Sequence, residues 1–302
     1  MAILAPVPTF LFSTISLNHS LGGTMQISMP RTRASTALQS VRAGRWRFRF
    51  AAATDVGSRR QHNEDFFILH PDRHLYLLAD GMGGHAGGEV ASRVSAETVV
   101  AYFDATENGQ NIDANTAACE RLPNHLVQSI KRANASIFSE AGERSEHRGM
   151  GTTIVTLTFC ADHAHFAHVG DSRLYRLRHG ELQPLTRDHS LLQRALDFQD
   201  LSEDEARELI ENFPHKNVLT RALGSRYVVD VDVDATPIEG GDLFVMTSDG
   251  VHDTIDDEYL NALLVSHQDD WNMACDAVIA ACNDAGGPDN ITIVCVETLS
   301  LS

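Results

Sequence analysis

The sequence predicts an α+β fold in which mainly antiparallel sheets are layered with helices. Three observations support this fold class. Strand-like segments occur in both halves of the chain, segments with helical periodicity are grouped between and after them, and many connections are short enough for hairpins. At 302 residues the chain can form one large domain or two modest ones with a substantial core.

The first predicted strands precede two predicted helices. RWRFRFAAATD, which begins near Arg47, alternates in period two, and the runs DFFILHP and HLYLLAD follow with a hairpin-type connection. A helix is predicted from Glu89, and a second over about 119–140. Their apolar faces are predicted from helical spacing to contain Val90, Val94, Thr98 and Tyr102 in the first helix, and Leu126, Ile130 and Ile137 in the second.

Strands resume with TTIVTLTFC, HAHFAHVGD and SRLYRLRHGEL, the last of which ends in a His-Gly turn. Residues 188–222 then change character. Ser202 and Glu205 have capping-box spacing at the start of an acidic helix, which predicts a helical insertion between strands. DLFVMTSDG is again strand-like, residues 257–283 are predicted to be helical, and NITIVCVET is the closing strand.

Composition excludes several function classes. The formal net charge of −17 is opposite to the basic surface that nucleic acid requires, so no nucleic-acid partner is expected. No apolar run is long enough to span a membrane. Five cysteines without a C-x-x-C pair indicate neither a disulfide framework nor a zinc ribbon, and Cys160 and Cys295 are expected to be buried small hydrophobic residues. A reducing, cytoplasmic location is expected.

The first 46 residues differ from the rest of the chain. Residues 1–54 contain six arginines and no acidic residue, a composition that is typical of a disordered leader or of a transit peptide. An over-long start is a further alternative, since Met25 and Met29 offer later initiation points. We therefore expect a leader over residues 1–46, with organelle targeting as the alternative function, and one domain over residues 47–302.

Four aspartates stand at the ends of strongly apolar strand-like runs, three after a run and Asp289 directly before one. They are Asp80, Asp171, Asp249 and Asp289, and each lies beside a glycine or a turn residue. A single Asp-Gly after a strand usually indicates only a turn. Four such carboxylates that meet in space would repel one another and would need cations. An all-oxygen ligand set favours Mg²⁺ or Mn²⁺ over zinc.

Upstream of these strands, Arg60 precedes the acidic pair Glu64 and Asp65. Beside a cation cluster, an arginine can hold two oxygens of a phosphate group. In isolation the same three residues would be interpreted as solvated surface charges.

Several segments together resemble the metal-dependent type 2C Ser/Thr protein phosphatases in their bacterial form. The similar segments are RQHNED (60–65), ADGMGGHAGGEVAS (79–92), GMGTT (149–153), HVGDSRLY (168–175), TRDHSLLQ (186–193), TRALG (220–224), TSDGVHD (247–253) and GGPDNIT (286–292). They occur in the family's order over residues 47–298. The resemblance implies a β-sandwich of two antiparallel sheets flanked by helices, with residues 188–222 as a flap beside the active site.

The resemblance also implies roles for individual residues. Two Mn²⁺ or Mg²⁺ ions would be held by Asp80 as the bridging ligand, the Gly81 carbonyl, Asp249, Asp289 and Glu64, with Asp65 orienting that shell. Asp171 and Asp253 would hold a third ion, Arg60 would hold the phosphate, and His85 is the candidate general acid, because Met82 stands where some members have histidine. The implied reaction is hydrolysis of phosphoserine or phosphothreonine in proteins by a water that the two ions activate.

Three alternative functions can be set against this one. A pseudophosphatase would bind phosphoproteins without hydrolysis, and a related hydrolase would act on a small phosphorylated metabolite. A structural protein would use the strand-end aspartates only as turns. For the phosphatase, the expected partners are phosphorylated proteins and a cognate Ser/Thr kinase in a signalling role, with no membrane partner and a monomeric chain.

Overall fold

The computed structural model describes residues 45–83, 87–106, 116–198, 201–214 and 216–301, and three short strands before residue 44. The first half contains β1 (Met25–Ile27), β2 (Ala34–Ser35), β3 (Gln39–Ala43), β4 (Trp46–Asp55), β5 (Asp65–His70), β6 (Leu75–Met82), α1 (Gly87–Thr106) and α2 (Thr116–Glu143). The second half contains β7 (Gly151–Thr152), β8 (Ile154–Cys160), β9 (His163–Val169), β10 (Arg173–Arg178), β11 (Glu181–Pro184), α3 (Leu191–Phe198), α4 (Glu203–Asn212), β12 (Asp232–Pro237), β13 (Leu243–Thr247), α5 (Asp249–His252), α6 (Asp257–Ser266), α7 (Trp271–Asp284) and β14 (Ile291–Ser300).

Two antiparallel sheets form a sandwich, as the resemblance implied. The first sheet has the order β1-β5-β6-β8-β9-β12, with β7 paired to β6. The second has the order β11-β10-β13-β14-β4-β2, with β3 paired to β4. In the first sheet, Asp65 at the start of β5 lies opposite Asp80 near the end of β6. This register places two acidic residues side by side at one end of the sandwich.

Three apolar clusters separate four layers of structure. The central cluster lies between the two sheets and includes Phe50 and Val294 from the second sheet and Tyr76 and Leu157 from the first. A second cluster joins the first sheet to α1 and α2, and a third joins the second sheet to α5, α6 and α7. Because both faces of each sheet are covered, inner strands such as β8 are buried at every position instead of alternating.

The two helices of the first layer differ in how well the sequence predicted their buried faces. In α2 the predicted residues Leu126, Ile130 and Ile137 are fully buried. In α1 the predicted face is wrong by one position. Its fully buried residues include Ala91, Ser95, Val99 and Phe103, whereas Val90, Val94, Thr98 and Tyr102 are only partly buried. Because α1 contacts both the first sheet and α2, its most enclosed face combines small residues with Val99 and Phe103, and Val90, Val94 and Tyr102 pack beside that face.

The single helix predicted over 257–283 is wrong, because the structure contains two helices. The first, α6, ends at Ser266, and His267 follows with φ −121° outside the helical region. Asp270 then caps α7 by accepting hydrogen bonds from the backbone N–H groups of Asn272 and Met273. In the flap, by contrast, Ser202 and Glu205 form the predicted capping box of α4.

The expected boundary near residue 47 falls within a hairpin, since β3 pairs with β4 from Ala43↔Trp46 to Gln39↔Phe50. Residues 1–24 lie outside the described part of the chain, so the division into a leader and a domain stays a prediction. Among the described residues, no helix has the length and apolar character needed to cross a membrane.

One prediction about the cysteines is wrong. Cys160, expected to be a small hydrophobic residue, forms a disulfide with Cys119 because the first turn of α2 passes over the end of β8. Cys295 is a buried free thiol, as predicted.

Candidate metal centre

The ends of four strands converge on one cavity of about 700 Å³. Asp80 lies near the end of β6, Asp171 two residues after β9, Asp249 two residues after β13, and Asp289 two residues before β14. Seven of the residues singled out from the sequence line this cavity: Arg60, Glu64, Asp80, Gly81, Asp171, Asp249 and Asp289. A sandwich whose strands end at the same level therefore concentrates six carboxylate or carbonyl donors, together with Arg60 and two further arginines, Arg221 and Arg226.

The remaining three candidates lie elsewhere. Asp65 is buried beside the cavity, where its Oδ2 accepts hydrogen bonds from Ser248 Oγ at 2.8 Å and Thr292 Oγ1 at 2.6 Å. Asp253 is exposed at the end of α5 and does not line the cavity, and its N–H donates to the Asp249 carbonyl at 2.8 Å. His85 falls in residues 84–86, which lie outside the described part of the chain.

The backbone of Asp80 is fixed by two threonines of the GMGTT segment. Thr152 Oγ1 and the Thr153 N–H each donate to the Asp80 carbonyl at 2.8 Å. The Asp80 N–H in turn donates to Thr153 Oγ1 at 3.0 Å. Because both backbone polar groups of Asp80 are bonded, its carboxylate projects from a fixed point. Sequence reasoning assigned no role to either threonine.

The glycines after Asp80 allow the N-terminus of α1 to approach β6 and Glu64. A Cβ at Gly81 would lie 2.1 Å from the Gly88 carbonyl oxygen, and a Cβ at Gly88 would lie 2.6 Å from the Glu64 carboxyl carbon. The Gly81 N–H also donates to the Glu64 carbonyl at 3.1 Å. Any side chain at position 81 or 88 would therefore displace the acidic loop from the cavity.

Asn290 is the clearest residue that sequence reasoning missed. Its side chain is buried and donates to the carbonyls of Val56 and His62, both at 2.9 Å, while its Oδ1 accepts from the Glu64 N–H at 2.8 Å. One amide thus holds the loop that carries Arg60 and Glu64 against the start of β14. The only feature of the sequence that could have indicated this role is the position of Asn290 directly after Asp289.

Arg60 lines the cavity and contacts one of its aspartates directly. Its Nη2 forms an ion pair with Asp289 Oδ2 at 2.5 Å, and its side chain is 48% exposed. The guanidinium therefore lies at the mouth of the cavity with part of its surface open to solvent. A planar guanidinium in this position can bind two oxygens of a phosphate group.

Comparisons with known proteins agree with this geometry. Residues 56–291 match the protein phosphatase 2C family. The chain belongs to that family. It is 33% identical over 247 residues to the serine/threonine phosphatase stp of Listeria monocytogenes, an alignment that covers 81% of this chain and 93% of the relative.

Two solved structures of family members are similar to the whole sandwich. The Mycobacterium tuberculosis serine/threonine phosphatase PstP/Ppp superposes with a TM-score of 0.72 at 31% identity, covering 84% of this chain and 99% of the other. A PstP catalytic domain in complex with two manganese ions gives a TM-score of 0.70 at 29% identity and covers 84% of this chain and 100% of the other.

The carboxylates of this family member are electrostatically strained in the absence of cations. Burial raises the pKa of Glu64 to about 7, against a smaller lowering by Arg60. Burial also raises the pKa of Asp171 to about 7 and that of Asp65 to about 6. The pKa values of Asp80 and Asp249 are raised well above the usual range, first by burial and then by neighbouring carboxylates. The cluster therefore holds protons at neutral pH unless other cations replace them.

The donor set fits divalent cations that prefer oxygen. Within the described part of the chain, Asp65 Oδ1 is a buried oxygen without a hydrogen-bond partner, which is the arrangement expected of an atom that faces a cation. Among the described residues that line the cavity, no cysteine or histidine offers a softer ligand. Carboxylate and carbonyl oxygens match Mg²⁺ and Mn²⁺ in this phosphatase family member.

The backbone before Asp171 is held by His189. The His189 N–H donates to the Gly170 carbonyl at 2.9 Å, and its Nδ1 accepts from the Gly170 N–H at 3.0 Å. Nδ1 is therefore unprotonated, and Nε2–H faces Asp232 Oδ2 at 3.2 Å. Burial lowers the pKa of His189 to about 4, which keeps the ring in this neutral form. His189 thus anchors Asp171 in the phosphatase without itself lining the cavity.

Proposed function

We propose that the chain removes phosphate from phosphoserine and phosphothreonine side chains of proteins at this acidic cavity, and so reverses a Ser/Thr kinase. Family membership makes the chain a metal-dependent serine/threonine protein phosphatase, with Mn²⁺ or Mg²⁺ as the cofactor. The observation that supports this particular cavity is the convergence of four strand-end aspartates with Arg60.

Two cations would be held by side chains that already face one another. Asp80, Asp249, Asp289 and the Gly81 carbonyl would hold them together with Glu64, which would bind directly or through water. Asp65 would orient the shell through its unpartnered Oδ1. When bound, such a pair of ions lowers the pKa of a coordinated water and neutralises phosphate charge.

Asp171 and Asp253 are proposed to hold a third, weaker ion. Support for Asp171 is direct, because its side chain lines the cavity and is only 8% exposed. Support for Asp253 is its neighbour Asp249, whose pKa is raised partly by the charge of Asp253. Both residues are carboxylic acids whose pKa values are raised, and a cation bound beside them would favour their ionised forms.

Arg60 is proposed to bind the phosphate group of the substrate. Its guanidinium has five N–H donors, and the ion pair with Asp289 engages Nη2. Two oxygens of a phosphate can therefore be held by the remaining donors while Asp289 fixes the orientation of the side chain. As the phosphorus–oxygen bond to the substrate breaks, Arg60 stabilises the charge on the phosphate oxygens.

The proton that the departing serine or threonine oxygen takes up needs a donor. His85 is proposed for this role on its position five residues after Asp80. An imidazole near the cavity could supply a proton at neutral pH.

The reaction also defines partners. A cognate Ser/Thr kinase must produce the phosphoproteins, which gives the protein a signalling role in this proposal. The cytoplasm is the proposed compartment, because the kinase requires ATP, and organelle targeting by residues 1–46 is the alternative. The chain is proposed to act as a monomer, since one chain carries every proposed site residue.

The direct test is phosphate release from a phosphothreonine peptide with Mn²⁺, with Mg²⁺ and with chelator. We expect turnover only with a cation, and its loss in Asp80→Asn and Asp249→Asn. Asp284→Asn, an exposed aspartate at the end of α7, is the matched control and should keep full activity. Binding of the phosphopeptide without turnover in any cation would instead identify a pseudophosphatase, and turnover of small phosphorylated metabolites alone would identify the metabolite hydrolase.

A further inference from the structure

An exposed apolar surface lies next to the proposed active site. It consists of Phe138 on α2 and of Tyr227 and Val228 on the segment before β12, and we name these three residues the Tyr227 patch. Tyr227 is 74% exposed and Val228 is 70% exposed, although both are large apolar side chains. Phe138 is 40% exposed and packs edge-on against Tyr227, with ring centroids 5.8 Å apart.

The backbone beneath the Tyr227 patch is held rigidly. Asn134, which is buried on α2, donates hydrogen bonds from Nδ2 to the carbonyls of Arg226 at 3.0 Å and Tyr227 at 3.1 Å. Its Oδ1 accepts from the Gly224 N–H at 2.9 Å. The side chains are therefore exposed on a segment whose position is fixed, which differs from the exposure of a mobile loop.

The same segment also forms the rim of the cavity. Ser225 and Arg226 line it, and Tyr227 follows directly, one Cα–Cα step of about 3.8 Å along the chain. If the cavity of about 700 Å³ is treated as a sphere, its radius is roughly 5.5 Å, and a phosphorylated residue at its centre would lie about 9 Å from the start of the patch. An extended peptide covers about 3.3 Å per residue, so this distance corresponds to about three residues.

We propose that the Tyr227 patch binds an apolar side chain of the phosphoprotein substrate, located about three residues from the phosphorylated serine or threonine. This inference rests on the proposed function, because the phosphorylated residue must occupy the cavity. An aliphatic or aromatic substrate side chain would lie against the exposed face of Tyr227 and Val228, and both partners would lose apolar surface to water.

Two features favour substrate over a second copy of the chain as the occupant. Tyr227 directly follows Arg226, which lines the cavity that the phosphorylated residue must enter. It is also small, since three side chains cannot supply the roughly 800 Å² per partner that a stable protein interface buries. A single apolar residue on an extended peptide, anchored by its phosphate, needs far less area.

The test uses pairs of phosphothreonine peptides that carry either leucine or serine at one position and are otherwise identical. In one pair this position is three residues before the phosphothreonine, and in the other pair it is three residues after it. On one side we expect kcat/KM to be about tenfold higher for the leucine peptide, mainly through a lower KM. Tyr227→Ala should remove this preference, whereas Tyr227→Phe should keep it. Hydrolysis of p-nitrophenyl phosphate, which cannot reach the patch, should be unchanged in both variants.

Tyr259→Ala is the matched control, because Tyr259 is 50% exposed on α6 and does not line the cavity. It should behave as the wild type. Equal kcat/KM values for the leucine and serine peptides on both sides would refute this inference alone, while absence of turnover with peptides and p-nitrophenyl phosphate alike would refute the proposed function as well. A change in molecular mass by light scattering in Tyr227→Ala, with the leucine preference intact, would assign the patch to self-association and also refute the inference.

Discussion

Replacing Asp171 with asparagine should stabilise the cation-free protein, although it removes a proposed cation ligand. Asp171 is 8% exposed, and burial with nearby Asp188 raises its pKa from 3.8 to about 7. A carboxyl group whose pKa is raised by folding contributes its stability in the protonated form. That contribution is complete below pH 3.8 and is lost as the pH rises through about 7.

The size of the effect follows from the two pKa values. At 1.36 kcal/mol for each pKa unit, the raised pKa of Asp171 destabilises the folded state, relative to a side chain that does not titrate, by up to about 2 kcal/mol at pH 5, where only the unfolded chain ionises, and by about 4 kcal/mol at pH 8. Asparagine has nearly the same shape and never ionises, so Asp171→Asn avoids this cost. In a domain of this size the difference at pH 8 corresponds to a rise in Tm of up to about 10 °C.

The assay is thermal unfolding of wild type and Asp171→Asn in chelator at pH 5 and at pH 8, repeated with millimolar Mn²⁺. The stabilisation by Asp171→Asn should be larger at pH 8, and it should shrink in Mn²⁺, where cations neutralise the wild-type carboxylate. Asp284→Asn, at an exposed site, should shift Tm by no more than a degree or two at either pH. A lower Tm for Asp171→Asn at pH 8 in chelator, or the same difference at both pH values, would show that the cluster is not held under repulsion.

Three further outcomes are expected. Arg60→Ala should lower kcat/KM for a phosphopeptide by about 100-fold, because the variant loses the guanidinium proposed to bind the phosphate. Its Tm should stay within a few degrees of the wild type, because Arg60 is half-exposed and its one ion pair among the described residues is with Asp289. An unchanged kcat/KM would show that Arg60 does not bind the phosphate. Asn290→Ala should lower the free energy of unfolding by about 2–4 kcal/mol, because three backbone groups lose their hydrogen-bond partner. It should also weaken Mn²⁺ binding, measured by calorimetry. An unaltered Mn²⁺ affinity would contradict the role of Asn290 in holding Glu64. Reduction of the Cys119–Cys160 disulfide, which closes a loop of 41 residues, should lower the free energy of unfolding by about 4 kcal/mol according to the chain-entropy relation. The control is Cys160→Ser, whose Tm should not respond to the reductant. An equal shift in the Tm of Cys160→Ser and of the wild type would show that the loss of stability does not come from the disulfide.

The strands and the acidic cluster were predictable because each has a strong local signal. Apolar runs bounded by glycine, aspartate and asparagine indicate strands, and the aspartates stand at the points where those strands end. The antiparallel register then brings Asp65 and Asp80 side by side. The remaining carboxylates converge on one cavity because they too stand at strand ends, in both sheets.

Features that depend on contacts between distant segments were not predictable. The buried face of α1 is set by two neighbours, the first sheet and α2. A prediction from helical periodicity assumes that a helix packs against a single neighbour. Asn290 is an ordinary turn residue in the sequence, and only the packed structure shows that it joins β14 to the loop of Glu64. The disulfide between Cys119 and Cys160 likewise depends on where α2 begins relative to β8.

The network around the cavity explains how a stable fold can carry such a cluster. Repulsion among Asp80, Asp171 and Asp249 would be relieved if the strand ends moved apart, but neutral groups bond their backbone segments from several directions. Thr152 and Thr153 hold Asp80, and His189 holds Gly170. Because none of these groups carries a charge, they fix the carboxylates without neutralising them. The repulsion among ionised carboxylates is therefore relieved by bound protons or by bound cations, and cations that bind at neutral pH must displace protons.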